Sequence, residues 1–190
     1  VQTCALPISR QVVEVWGAIL AAVPGARLVL KGASFADEQL AQRFFANFEA
    51  AGVAPERITV MSITRSNEEH LRLYGEIDIG LDPFPYNGTT TTCDALWMGV
   101  PVVALRGDRH VARVSADLLS RVGLPELIAE SRQAYIEKAV ALARDLDRLA
   151  ALRAGLRERM RGSALCDEPG FARHFETALR EMWRRWCAAG

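Results

Sequence analysis

Residues 78–105 read DIGLDPFPYNGTTTTCDALWMGVPVVAL, and this run decides the fold. Asp78–Leu81 is a short strand, and the loop Asp82–Gly88 that follows is stiffened by Pro83 and Pro85. A helix then begins in the threonine run and reaches Met98. Pro101–Leu105 (PVVAL) is the next strand and is apolar throughout. A strand with no polar alternation is buried on both faces, as strands are in a parallel sheet covered by helices on each side.

Working outward, the same alternation continues. Upstream, Val12, Val13, Val15, Trp16, Ile19, Leu20 and Val23 suit a helix with one broad apolar face, ended by Pro24-Gly25. Arg27–Lys31 is a strand. Asp37–Gly52 is a helix with Leu40, Phe44, Phe45 and Phe48 inward, and Gly52 is its expected C-terminal stop. Arg57–Met61 is another strand. Ser66 or Asn67 caps a helix through Leu73–Tyr74, with Glu68 and Glu69 in the first turn, where acids are favoured. Downstream, helices are expected near Val111–Val122, Arg132–Leu146 and Arg148–Arg161. Pro169-Gly170 is read as a break before a last helix to about Trp186. The expectation is an α/β chain with a Rossmann-like, doubly wound parallel sheet and a helical C-terminal tail.

The chain has 190 residues, enough for one well-buried α/β domain. Half the residues are hydrophobic, 24% are charged and the formal net charge is zero. That balance belongs to a globular domain and offers no electrostatic case for nucleic acid or an acidic membrane surface as partner. No apolar run approaches the roughly 18 residues of a membrane span. Cys4, Cys93, Cys166 and Cys187 form no CxxC pair and have no histidine at ligand spacing, so no metal site is expected and a reduced, cytoplasmic setting is. Val1–Ile8 (VQTCALPI) is encoded by a DNA string resembling a sequencing-library adapter. It is expected to be non-native, with the native chain starting near Ser9.

The chemistry is concentrated at Gly88–Asp94. Gly88 permits a close backbone approach that a Cβ would block. Thr89, Thr90, Thr91 and Thr92 sit at a helix start, where unpaired amides and the positive end of the dipole face outward, and each adds a hydroxyl. A diphosphate is the natural guest of such a place, at the carboxyl edge where doubly wound sheets bind ligands. Plain capping of the helix by threonine also fits the spacing, and both readings stand at this point. Asp94, one turn on, suits a ribose diol or a solvated helix surface equally. There is no GxGxxG after the first strand and no GxxxxGK[ST], which disfavours a nicotinamide dinucleotide and a P-loop nucleotidase.

At these residues the sequence resembles the protein O-linked N-acetylglucosamine transferase and SPINDLY family, glycosyltransferase family 41. The resemblance rests on LDPFPYNGTTTTCDALWMGVPVV at Leu81–Val103 and VPGARLVLKG at Val23–Gly32. It extends through NEEHLRLYGEIDIGLD at Asn67–Asp82, RVSADLLSRVGLPELIAES at Arg113–Ser131 and EMWRRWC at Glu181–Cys187. It implies the C-terminal, donor-binding lobe of a two-lobed GT-B enzyme: residues 9–165 form the nucleotide-sugar-binding lobe, and residues 166–190 form a helix that crosses to an N-terminal lobe.

By the same resemblance, Thr89, Thr90 and Thr91, with Gly88, match the residues that hold the donor diphosphate, Asp94 the ribose-binding acid and His70 a histidine lying against the nucleobase. Asn87, His110 and Arg113 are further candidates, Arg113 either toward phosphate or paired with Asp108 or Asp117. No residue of this stretch is assigned as catalytic.

The implied reaction is inverting, metal-independent transfer of N-acetylglucosamine from UDP-GlcNAc to Ser/Thr of a protein held by the N-terminal lobe and tetratricopeptide repeats. No cofactor beyond the nucleotide sugar is implied. Members with a uridine donor carry a lysine where Asn67 sits and a basic residue where Leu73 sits, so GDP-fucose remains an alternative donor. A non-catalytic nucleotide-binding scaffold is the alternative from another class. The apolar stripe Phe171, Phe175, Leu179, Met182, Trp183 and Trp186 is expected to face the N-terminal lobe in part. On this reading the chain is a piece of the enzyme and transfers no sugar by itself. Sugar transfer to a protein by the purified chain would refute that.

Overall fold

A computed structural model describes residues Ile8–Ala189; residues 1–7 of the suspected adapter segment lie outside them. The alternation expected from sequence is present. Helix α1 (Arg10–Ala22) is capped by the Ser9 hydroxyl, which accepts from the Val12 amide, and it buries Val12, Val13, Val15, Trp16, Ile19 and Leu20. It leads into β1 (Leu28–Lys31), α2 (Glu38–Ala50), β2 (Ile58–Met61), α3 (Asn67–Arg72) and β3 (Gly80–Leu81). Then come α4 (Thr90–Trp97), β4 (Val102–Leu105), α5 (Val114–Arg121), β5 (Ile128–Ala129), α6 (Arg132–Arg144), α7 (Leu146–Arg161) and α8 (Glu168–Ala189).

Local chemistry explains the boundaries. The Asp37 carboxylate accepts from Gln39 and Leu40 at the start of α2, and Gly52, at φ 81°, ends it in the left-handed conformation. Ser66, not Asn67, caps α3 by accepting from the Glu69 amide at 3.1 Å. Arg57 clamps the end of α1, its guanidinium donating to the carbonyls of Leu20, Val23 and Ala26 at 2.7–2.9 Å. A cation at the negative end of a helix dipole is favourable there.

All strand pairs are parallel. β1 pairs with β2, Leu28 opposite Ile58, while β3, β4 and β5 form a three-stranded piece with β4 central. Val102, Val103 and Ala104 are successive and all buried, so both faces of β4 are covered, as its composition requires. One core unites the two pieces.

Three details differ from the sequence reading. The ladder is interrupted between β1 and β3, and a cavity of about 560 Å³ is lined from both sides by Leu28, Val29, Ile79 and Leu81. β5 was not anticipated: two residues are too few to show a period. Pro169-Gly170 does not break the chain but lies in the first turn of α8, where a proline lacks no hydrogen bond that the helix would otherwise supply.

The tail helix stands off the domain. Phe171, Phe175, Leu179, Met182, Trp183 and Trp186 are 46–70% exposed, and Gly170 is its buried residue. The stripe is therefore not packed on this domain.

A buried polar link in the core joins α1, α6 and the loop after β3. Trp16 Nε1 donates to the Tyr135 hydroxyl at 3.2 Å, and that hydroxyl donates to the Asp82 carbonyl at 3.0 Å. Tyr135→Phe leaves a buried donor and a buried acceptor unmatched. It is expected to cost about 2 kcal/mol of unfolding free energy, read from urea denaturation midpoints at constant m.

Candidate functional site

The loop that leaves β3 is built around Asp82. Its amide donates to the Val103 carbonyl at 3.0 Å and so extends the ladder one residue past the strand. Its side chain turns back: Oδ1 accepts from the Gly88 amide at 2.8 Å, tying the two ends of the loop together. The Asn87 side-chain amide donates to the Pro83 carbonyl at 3.1 Å, and the Asn87 backbone amide to Val111 O at 2.9 Å. The Gly88 carbonyl accepts from Ser115 Oγ at 3.0 Å, and Ser115 shares a 3.0 Å hydrogen bond with Thr92 Oγ1. Gly88 is thus held at both of its peptide groups.

A glycine is needed there for lack of space. A Cβ on Gly88 would stand 2.7 Å from both Thr91 Oγ1 and Thr92 Oγ1, and 3.2 Å from Asp82 Oδ1. Asp82 is 4% exposed. Burial pushes its carboxyl up to about 7, against the opposing pull of the Gly88 amide and Ser115.

Helix α4 starts beyond this anchored glycine. Thr89 is the flanking residue, and its side chain makes no capping hydrogen bond. The four threonines divide by role. Thr92 is buried and holds Ser115, whereas Thr89 and Thr90 are exposed and Thr91 is half-buried. The first-turn amides have no acceptor within the helix, by helix geometry. What faces outward is a cluster of amides and hydroxyls with no side chain spent on capping, which is the composition of an oxyanion site.

His70 and Asp94, 24 positions apart in the chain, converge beside this terminus. His70 Nε2 lies 3.7 Å from Asp94 Oδ2, with the two side chains 19% and 30% exposed. The imidazole stands edge-on to Tyr74, centroids 5.5 Å apart at 71°. The Tyr74 hydroxyl donates to the Thr91 carbonyl at 3.3 Å and so pins α3's continuation to the first turn of α4. Behind the ring, Lys31 Nζ lies 2.5 Å from His70 Nδ1. Burial, then Lys31, pull the His70 pKa below its ordinary value, while Asp94 opposes them.

The remaining sequence candidates are placed less centrally. Asn87 is buried and shapes the loop, although its Oδ1 has no partner. Arg113 is exposed and its Nε donates to the Gly107 carbonyl at 2.9 Å. It does not pair with Asp108 or Asp117; Asp117 instead binds Arg121 at 2.7 Å, one helical turn on. His110 is exposed in a short 3₁₀ turn, His110–Ala112. No group of three or more His, Cys, Asp or Glu residues able to hold a metal ion occurs among the described residues. Among them, too, no helix is long and apolar enough to cross a membrane.

Sequence reasoning missed Asp82, Ser115 and Lys31. Asp82 had a visible signal, an acid directly after an apolar strand. Ser115 and Lys31 had none, because their importance comes only from what the fold places opposite them.

Fold and site together define a parallel α/β lobe with an anion-ready helix terminus, a carboxylate and an aromatic heterocycle grouped at the carboxyl edge of its sheet. The family model described as glycosyl transferase family 41 matches residues 6–175, and the chain belongs to that family. It is 43% identical over 180 residues to the tomato (Solanum lycopersicum) protein named probable UDP-N-acetylglucosamine–peptide N-acetylglucosaminyltransferase SPINDLY, covering 95% of this chain and 19% of the relative. A Caenorhabditis elegans UDP-N-acetylglucosamine–peptide N-acetylglucosaminyltransferase is 34% identical, over 94% of this chain and 15% of its own length. The solved structure of the K341M mutant of Thermobaculum terrenum O-GlcNAc transferase superposes with a TM-score of 0.89 at 40% identity. That match covers 94% of this chain and 34% of the other. The chain therefore spans about a fifth or less of the length of these two curated relatives.

Two consequences can be measured. Gly88→Ala is expected to destabilise the protein by about 2 kcal/mol, because two of the atoms met by the new Cβ, Thr92 Oγ1 and Asp82 Oδ1, are themselves hydrogen-bonded; equilibrium unfolding reads this directly. Asp82 keeps its proton in the folded state up to about pH 7 but would lose it near pH 4 when unfolded. Its contribution to stability therefore declines as pH rises from about 4 to about 7 and is flat above. Asp82→Asn, which retains an acceptor for Gly88, should gain stability relative to wild type between pH 5 and pH 7.5 in paired urea titrations.

Proposed function

We propose that this chain is the donor-binding half of a protein O-glycosyltransferase that transfers N-acetylglucosamine from UDP-GlcNAc to Ser/Thr hydroxyls. The observation that carries the proposal is the convergence of His70 and Asp94 on the outward-facing first turn of α4. In this reading Gly88, Thr89, Thr90 and Thr91 receive the diphosphate, Asp94 accepts from the ribose hydroxyls and the His70 ring lies against the base. The names borne by the relatives, UDP-N-acetylglucosamine–peptide transferases, support the same substrate class.

The chemistry follows from where charge develops. As the sugar leaves, negative charge builds on the departing β-phosphate. Amides and hydroxyls already oriented at Gly88–Thr91 meet that charge without having to reorganise. Such a site supplies by fixed dipoles what a divalent ion supplies elsewhere, so we assign a metal-independent, inverting transfer. The Ser/Thr acceptor and the residue that takes its proton are assigned to the N-terminal lobe of the complete enzyme and to repeats that present the protein substrate. We assign residues 9–165 to the donor lobe and α8, with its exposed stripe, to the crossing between lobes.

A second donor, GDP-fucose, is favoured by one observation: Asn67 and Leu73, flanking His70 on its helical stretch, bring no cation to the base. Differential scanning fluorimetry of the 190-residue chain with UDP, GDP and ADP separates the readings. UDP alone raising Tm supports the first, GDP alone the second, and equal response to all three or to none rejects both. Thr90→Val and Thr91→Val each remove one hydrogen bond to a charged group. Each is expected to weaken binding of the stabilising nucleotide about tenfold by calorimetry, with Tm of the free protein little changed.

A further inference from the structure

The row Lys31–His70–Asp94 spans β1, α3 and α4, and the donor reading uses only its last two members. Lys31 ends β1 at the carboxyl edge of the sheet and is 6% exposed. A buried ammonium must be hydrogen-bonded, and it can only donate. Its acceptors are Thr64 Oγ1 at 3.1 Å and His70 Nδ1 at 2.5 Å. Nδ1 must therefore present a lone pair, which leaves the ring proton on Nε2, the nitrogen that faces Asp94 Oδ2 at 3.7 Å.

Two charges compete for this imidazole. Asp94 alone would draw a second proton onto the ring and form an imidazolium–carboxylate pair, engaging the oxygen that a ribose diol would need. Lys31 forbids that state, because a proton on Nδ1 would meet the ammonium head-on. The Tyr74 ring also lies against the imidazole, edge-on.

We propose that Lys31 is a positioning residue for nucleoside recognition, holding His70 as the neutral Nε2–H tautomer so that the ring meets the base uncharged and forms no imidazolium–carboxylate pair with Asp94, the ribose contact. The proposal rests on the assignment of His70 and Asp94 as base and ribose contacts. The lowered pKa of His70, with burial as the larger cause and Lys31 the next, agrees with the geometry.

The test is ¹⁵N imidazole NMR of the 190-residue chain against pH, with the His70 signal assigned through a His70→Asn variant, followed by calorimetry with UDP and GDP. Wild type should show a single Nε2–H pattern at pH 7. In Lys31→Met, whose apolar chain suits the buried site, the His70 pKa should rise by on the order of one pH unit. An Nδ1–H population should appear, and nucleotide affinity at pH 7 should fall about tenfold. Lys31→Arg, which keeps a donor, should restore the wild-type pattern. Asp94→Asn, with Lys31 intact, should lower the His70 pKa further and keep the Nε2–H tautomer.

Unchanged His70 spectra in folded Lys31→Met overturn the proposal. So does a switch to Nδ1–H in Asp94→Asn, a variant that does not depend on how Lys31→Met folds. Wild type that binds neither nucleotide overturns the donor assignment instead, while the spectra still decide whether Lys31 sets the tautomer.

Discussion

The hydrogen bond from the Gly88 amide to the buried Asp82 carboxyl is the constraint on which the site depends. It closes a loop whose first residue still belongs to the sheet ladder and whose last residue directly precedes Thr89, which flanks the helix. Register in the core is thereby transmitted to the first turn of α4 without an intervening flexible joint. Burial raises the cost of Asp82's charge, and that same burial makes its acceptance from Gly88 strong, since water is not there to compete. Asp82 Oδ2 and Asn87 Oδ1 are buried without a hydrogen-bond partner among the described residues. Both belong to the segment that positions α4, where local stability is commonly yielded to geometry.

Around that anchor the polar residues divide between support and display. Thr92, Ser115 and the Tyr135 hydroxyl face inward and satisfy one another or the backbone. Thr89, Thr90 and Thr91 are left to solvent or ligand. A uniform run of four identical residues thus acquires two functions purely from helical phase, which sends the side chain of Thr92 toward Ser115. His70 reaches the same place from α3, held by Tyr74, whose hydroxyl crosses to Thr91.

Much of this was legible in the sequence, and what was not has physical causes. Long periodic segments such as Val12–Leu20 and the apolar Val102–Leu105 announce their state because many residues vote the same way. The two-residue β5 has no such vote and exists because β4 offers it an edge. The threonine run was visible as a helix start behind a tight glycine, and His70 and Asp94, taken from the family resemblance, do converge beside it. Lys31 looked like the ordinary end of a strand, and only the meeting of β1 with α3 gives it a histidine to hold. Arg113 was left with two readings, and of these the ion pair with Asp108 or Asp117 is absent because the turn at Gly107 offers a nearer carbonyl. Pro169 was read as a breaker because composition alone does not distinguish the first turn of a helix from the gap before it.

The exposed tail helix has an optical consequence. Trp183 and Trp186 are stacked 5.1 Å apart and more than half open to solvent, whereas Trp16 is fully enclosed in the core. The two environments differ enough in polarity to separate the indoles by emission wavelength and by access to an aqueous quencher such as iodide. Once the half-buried Trp97 is replaced, the molecule carries an intrinsic two-colour reporter. Its blue component follows the integrity of the core around Trp16, and its red component registers whatever comes to cover the final helix.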